Sequence, residues 1–319
     1  MKRFAVSSRT RALPLALSVL LLMQFEAGCG NEDYQKPIKQ FQDASAVVIS
    51  AARQTLLQMN DVEENAELSR QIFQGEAFDE QKIKARDVIT RDEIAARTGA
   101  LDQLARYTSA LADLAALKTP ADVTKQFQDV GSAFATLAQD AGKLSGTSSP
   151  ILDNAKFSGA VQAASLGIGT IVRAIEERRA RREIEKQIRQ QDAAVTSLIG
   201  LIGDELQAAY ERRKAADGQE GVILKNSLKL ELEKPGHGDP ALRLILGDRL
   251  RDWRSHQAAL ATADPKPSVE AMNKSHQALV AYVNSDKSPK NLSELIAAAQ
   301  DFASRVQPLG ESLAALLKG

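Results

Sequence analysis

Metal and nucleophilic chemistry have few carriers in this chain, which holds three histidines and one cysteine in 319 residues. The histidines are His237, His256 and His276. None stands three or four residues from another, the spacing that sets two imidazoles on one helical face, and the lone Cys29 adds no thiolate to them. This pattern predicts no metal site. Gly167-Ile168-Gly169 begins like a dinucleotide-binding loop but lacks the third glycine and follows no strand-like run. No nucleophile elbow and no phosphate-binding loop occurs, so neither an activated serine nor a phosphate cradle is expected. Asp239 and the acids around Asn60 could ligate a cation, although solvated loops have the same composition. Trp253 and His256 lie one helical turn apart and read as a core anchor beside a surface imidazole. The expectation is a non-enzyme without catalytic residues or cofactors.

Cys29 carries a different chemistry. Lys2, Arg3, Arg9 and Arg11 precede an apolar run over residues 13–23, and Glu26-Ala27-Gly28-Cys29 follows. A basic start, a short apolar run and small residues make a secretory signal, and the run is too short to span a bilayer. Ala27-Gly28-Cys29 resembles the end of the lipobox of bacterial lipoproteins, with Glu26 where that pattern has an aliphatic residue. The resemblance implies cleavage before Cys29, a diacylated or triacylated cysteine, and a membrane anchor. An exported chain with one cysteine forms no internal disulfide, which agrees with a modified residue. By the same resemblance, Gly30 in place of Asp after the cysteine implies the outer membrane, with the protein facing the periplasm. The alternative is ordinary signal cleavage and a soluble secreted or periplasmic protein. Residues 1–28 are thus expected as a lipoprotein signal peptide, 29–36 as a lipidated tether, and 37–319 as a single elongated α-helical domain.

Positive and negative side chains balance over the whole chain. Loss of the signal removes mainly basic residues and leaves the mature part slightly acidic, which argues against a nucleic-acid partner. Apolar residues make up 44% and charged residues 26%, a globular rather than a disordered composition. Aromatics are only 4%. Alanine and leucine fill the apolar positions, as helix packing requires.

The fold class expected is all-α: an elongated antiparallel helical bundle organised on one very long central helix. That helix is predicted over residues 150–216, about 100 Å at 1.5 Å per residue, because no proline interrupts it and the apolar spacing stays helical. Its first part, residues 157–172 from Phe157 to Val172, is almost uncharged. There Gly159, Ala163 and Gly167 recur every four residues, which predicts a close helix contact. A buried crossing is the first reading. Insertion into a membrane, as in helical pore-forming toxins, is the second, although the segment is shorter than the roughly 20 residues a bilayer needs.

Residues 176–189 carry charge on every side. Arg178, Arg179, Arg181 and Arg182 read as a solvated face laced with ion pairs, or as an interaction surface for phosphate headgroups or an acidic partner. Ile184, Ile188, Val195, Leu198, Ile202 and Leu206 then form a short seam like that of a coiled coil. Such a seam serves either packing within the chain or self-association.

Shorter helices are punctuated clearly. Ile38, Phe41, Val48, Ala52, Leu56 and Met59 predict a helix over 37–74, kinked near Asn60. Thr90-Arg91-Asp92-Glu93 is a capping box opening a helix through Leu114. Thr119-Pro120 and Ser149-Pro150 open the next two. Residues 217–221 should end the long helix. Leu228, Leu230 and Leu232 alternate as a strand would, but no partner strand is visible, so this stretch is read as helix. Residues 234–240 form a loop, and three further helices follow, separated by Pro265, Pro267 and Pro289.

These readings lead to a non-enzymatic envelope lipoprotein, a helical scaffold or protein-interaction module with an envelope protein as partner. A membrane-active protein inserting residues 157–172 is the alternative. A ligand carrier or enzyme with a dispersed site is the third reading.

Overall fold

The computed structural model describes residues 35–115, 120–177 and 181–316. Among them are nine α-helices and no strand: α1 (Gln35–Gln74), α2 (Glu80–Lys84), α3 (Arg91–Ala115), α4 (Pro120–Leu144), α5 (Asn154–Glu176), α6 (Arg181–Glu233), α7 (Pro240–Ala261), α8 (Lys266–Val283) and α9 (Pro289–Leu316). One 3-10 turn, Pro235–His237, joins α6 to α7.

The capping box forms as read. The Thr90 hydroxyl accepts the Glu93 N–H at 3.2 Å, and the Glu93 carboxylate accepts the Thr90 N–H at 2.7 Å. Thr119 lies outside the described residues. At α5 the cap is Asp153, which accepts the Lys156 N–H at 2.9 Å, while Ser149 and Pro150 stay in the preceding loop. α1 is uninterrupted at Asn60. That side chain instead fixes the chain before α3, accepting from Val88 and Ile89 N–H at 3.0 and 3.1 Å and donating to the Ile89 carbonyl at 2.7 Å.

The long central helix exists, but it is not residues 150–216. α6 has 53 residues, a length of about 80 Å. α5 stops at Glu176 and folds back along α6. The Asp153 N–H donates to Glu205 at 3.1 Å, and Gly167 faces Gln191, so the two helices run antiparallel. Charge on every side at 176–183 resists burial along a bundle, whereas the apolar segments flanking it gain by packing on each other. α6 also runs through 217–221, where an end was expected, and takes the leucine-alternating stretch with it as helix.

The small-residue row is corrected by the same packing. Only Gly167 is buried; Gly159 and Ala163 face solvent. A Cβ on Gly167 would stand 3.0 Å from Gln191 Oε1, whereas nothing lies within 4 Å of one on Gly159. Four residues turn a helix by about 400°, so such a row drifts about 40° per step off any one contact line. The inward face of α5 is Phe157, Val161, Ala164, Ile168 and Ile171, all fully buried.

Ile184, Ile188, Val195, Leu198, Ile202 and Leu206 are buried in one core shared with α1, α3, α4, α5, α8 and α9. The seam is therefore filled by the chain itself, not by a second copy. In this core Arg97 of α3 meets Glu205 of α6 in a two-pronged pair, Nε to Oε2 at 2.9 Å and Nη2 to Oε1 at 2.8 Å. α1 runs antiparallel to α3, with Gln42 bonded to Ser109 at 2.6 Å and Asn60 to the Val88 N–H at 3.0 Å. α3 in turn runs antiparallel to α6, with Arg97 on Glu205 and Tyr107 near Asp192 across His276, so α1 lies beside α6 in the same direction, where Glu63 is bonded to Arg212 at 2.6 Å.

Past the core, α6 and α7 continue as a two-helix arm. No apolar side chain over residues 222–250 is fully buried, and Val222, Leu230, Leu232, Leu242, Leu244 and Ile245 are exposed. The corrected α5 face makes an opposed pair of predictions for urea denaturation. Gly159→Ala should raise stability by about 0.5–1 kcal/mol, since it only adds helix propensity. Gly167→Leu should lower it by about 1–3 kcal/mol through overpacking on Gln191.

Candidate functional site at the root of the arm

Polar and charged side chains gather where the arm leaves the bundle. Arg213, Asp217 and Gly221 are four apart on α6 and share a face. Trp253, His256 and Gln257 occupy one turn of α7. The antiparallel pairing of the two helices brings the sets together.

Gly221 is the position that lets them meet. A Cβ there would collide with the Trp253 indole, so the ring lies directly on the α6 backbone. The indole Nε1 donates to the Asp217 carbonyl at 2.8 Å, and Lys225 Nζ sits 4.6 Å from the ring centre on one face. The Asp217 carboxylate is buried. Its Oδ1 lies 2.9 Å from His256 Nδ1, and its Oδ2 accepts from Gln257 Nε2. A carboxylate only accepts, so Nδ1 carries the proton and Nε2 is left as an acceptor toward Arg213 Nη2 at 3.4 Å. Arg213 is buried. Burial lowers its pKa and the Asp217 charge opposes that. Burial, and then the Asp217 charge, raise the Glu220 carboxyl, against Arg249 and His256.

A cleft of about 260 Å³ opens over this group, lined by Asn65 of α1, Glu220 of α6, and Arg249, Asp252, Trp253 and His256 of α7 among others. Its charges are mixed in sign, and no serine, threonine or cysteine lines it. Asp217 orients the His256 imidazole, and no hydroxyl or thiol nucleophile lines the cleft beside it. The same bonds clamp α7 to α6 at the root of the arm.

Trp253 is thus a half-buried part of the clamp rather than a core anchor, and His256 is bonded on both nitrogens rather than free at the surface. Arg213, Asp217 and Gln257 had no signal of their own in the sequence. Cys29, Arg178 and Arg179 lie outside the described residues, as does the side chain of Arg181. Arg182 is exposed on the first turn of α6. Further along the same stretch, Glu185 pairs with Lys287 at 3.6 Å and Arg189 donates to the Asn284 carbonyl at 3.3 Å, so part of its charge serves the turn between α8 and α9. Among the described residues no group of three or more His, Cys, Asp or Glu could hold a metal ion, and no helix is long and apolar enough to cross a membrane.

No protein-family model matches the sequence, and comparisons with curated proteins and with solved structures find no match.

Asp217→Ala should loosen the arm selectively. It strips His256 and Gln257 of their acceptor and removes the charge that opposes the desolvation of Arg213, a loss of about 1–3 kcal/mol for each buried donor left unsatisfied. Hydrogen exchange should speed up in α7 far more than in α3. Equal change in both helices would show that the clamp is not local.

Proposed function

We propose that this chain is a non-enzymatic envelope lipoprotein, anchored by acylated Cys29, whose bundle is a scaffold presenting the α6/α7 arm to another envelope protein. The anchor rests on Ala27-Gly28-Cys29, on the basic and apolar residues before it, and on the presence of a single cysteine. The observation that carries the interaction role is the arm itself. Six of the eleven exposed large apolar side chains among the described residues lie on it: Val222, Leu230, Leu232, Leu242, Leu244 and Ile245. Exposed apolar groups concentrated in this way mark protein contact surfaces, whereas scattered ones do not. The clamp at Asp217 holds that surface at a fixed angle, which lowers the entropy lost on docking.

The direction of α1 gives the scaffold a polarity. Through α3, which runs antiparallel to both, α1 starts toward the same end of the bundle as α6, and the arm tip lies at the other end of α6. Along the α6 axis the tip stands on the order of 70 Å from the end of the bundle at which α1 begins, the end that a lipid on Cys29 would join. Membrane insertion of residues 157–172 has no such support, since Phe157, Val161, Ala164, Ile168 and Ile171 fill the core.

Two variants test the two halves of the proposal. Cys29→Ala should abolish labelling by palmitate and move the protein out of the membrane fraction; wild-type protein that takes up no palmitate removes the anchor. Leu230→Glu with Ile245→Glu should leave the melting midpoint within the range of ordinary surface substitutions, about 0.5 kcal/mol. The same variant should lose the envelope protein that cross-links to the wild-type arm. Undiminished cross-linking would remove the arm from the account.

A further inference from the structure

α3, α6 and α8 meet around His276, whose side chain is wholly buried with neither ring nitrogen hydrogen-bonded. Tyr107 of α3 is equally buried. Its hydroxyl has no partner, and its ring centre lies 5.7 Å from that of the imidazole. The nearest charge is Asp192 of α6, with Oδ1 3.4 Å from His276 Nδ1, a contact that does not complete a hydrogen bond. Asp192 alone in this group keeps an open side chain, 27% exposed. α1 and α9 also pack on α8; the buried side chains of α9 among the described residues carry no charge, and the buried charge of α1, Glu67, is held by Arg70 and Arg86. Ser275 beside His276 is buried with an unpaired hydroxyl.

A structural core histidine normally spends at least one nitrogen on a partner, because an unmet buried polar group costs free energy. Here two are unmet beside an unmet phenol, and a carboxylate leads from them to water. We propose that Tyr107, His276 and Asp192 form an acid-responsive latch: the neutral imidazole lets α8 close on α3 and α6, and proton uptake by His276 releases α8 from them.

An imidazolium carries two N–H donors. In the closed core the Asp192 carboxylate stands near one of them, and no atom hydrogen-bonds the other, which stays desolvated. Opening hydrates both. Burial holds the closed-state imidazole down at about 4, below the ordinary 6.5. The open state therefore binds the proton more readily, and the closed state loses stability as pH falls below 6.5, levelling off below about 4. Asp192 works partly against this. Desolvation raises its carboxyl, so its own protonation favours closure.

Hydrogen exchange of the full chain, corrected for intrinsic rates, reads the latch. Between about pH 7.5 and pH 5 the opening constant of α8 should rise about thirty-fold, while that of α5 changes little. His276→Phe should abolish the rise in α8, and His276→Gln serves where the phenyl ring does not fit. Unchanged protection of α8 in the wild type overturns the proposal. So does an equal rise in α5, or a pH response that survives removal of the imidazole.

Discussion

The contact on which the rest of the structure depends is the buried pair of Arg97 and Glu205. Two ionised groups in a core are tolerated only when their geometry is nearly complete, because desolvation works against their attraction. Here Glu205 accepts twice from Arg97 and once from the Asp153 N–H. The guanidinium lies 4.1 Å from the centre of the Phe157 ring, which covers the side where Nη1 finds no acceptor. One carboxylate thus ties the first part of α3, the start of α5 and the middle of α6. It can do so only if α5 returns along α6, so the pair and the chain reversal after Glu176 require each other.

From that reversal the rest follows. α5 folded onto α6 buries the seam from Ile184 to Leu206, and α1, α8 and α9 complete the core around it. The core ends before α6 does. Among the described helices the remainder of the long helix packs on α7, and a pair of helices cannot bury both their apolar sides. The bare leucines of the arm are therefore a consequence of length. The clamp of Asp217, Trp253 and His256 is what keeps such a pair from splaying.

The helical class, the capping box at Thr90 and the buried seam were legible because each is written in local spacing. The reversal was not. Glu176-Glu177-Arg178-Arg179-Ala180-Arg181 contains good helix formers and neither proline nor glycine, so propensity extends a helix through it. What stops the helix is the tertiary gain of pairing two apolar segments, which lies far away in sequence. The extension of α6 was hidden for the opposite reason. Gly218 and Gly221 look like a terminus, but Gly221 is there for the Trp253 ring, a contact made across helices. The clamp residues were illegible because arginine and aspartate four apart are ordinary on any exposed helix.

The direct measurement of this account is a distance between spin labels at Lys156→Cys and Asp204→Cys, in a chain whose Cys29 is replaced by serine. Both positions are exposed, one on α5 and one on α6. Helices packed antiparallel with axes about 8–10 Å apart place the labels within about 25 Å of each other. One continuous helix would separate them by about 70 Å. A single short distance is the result the buried Arg97–Glu205 pair demands, and a dominant long distance would contradict the fold at its centre.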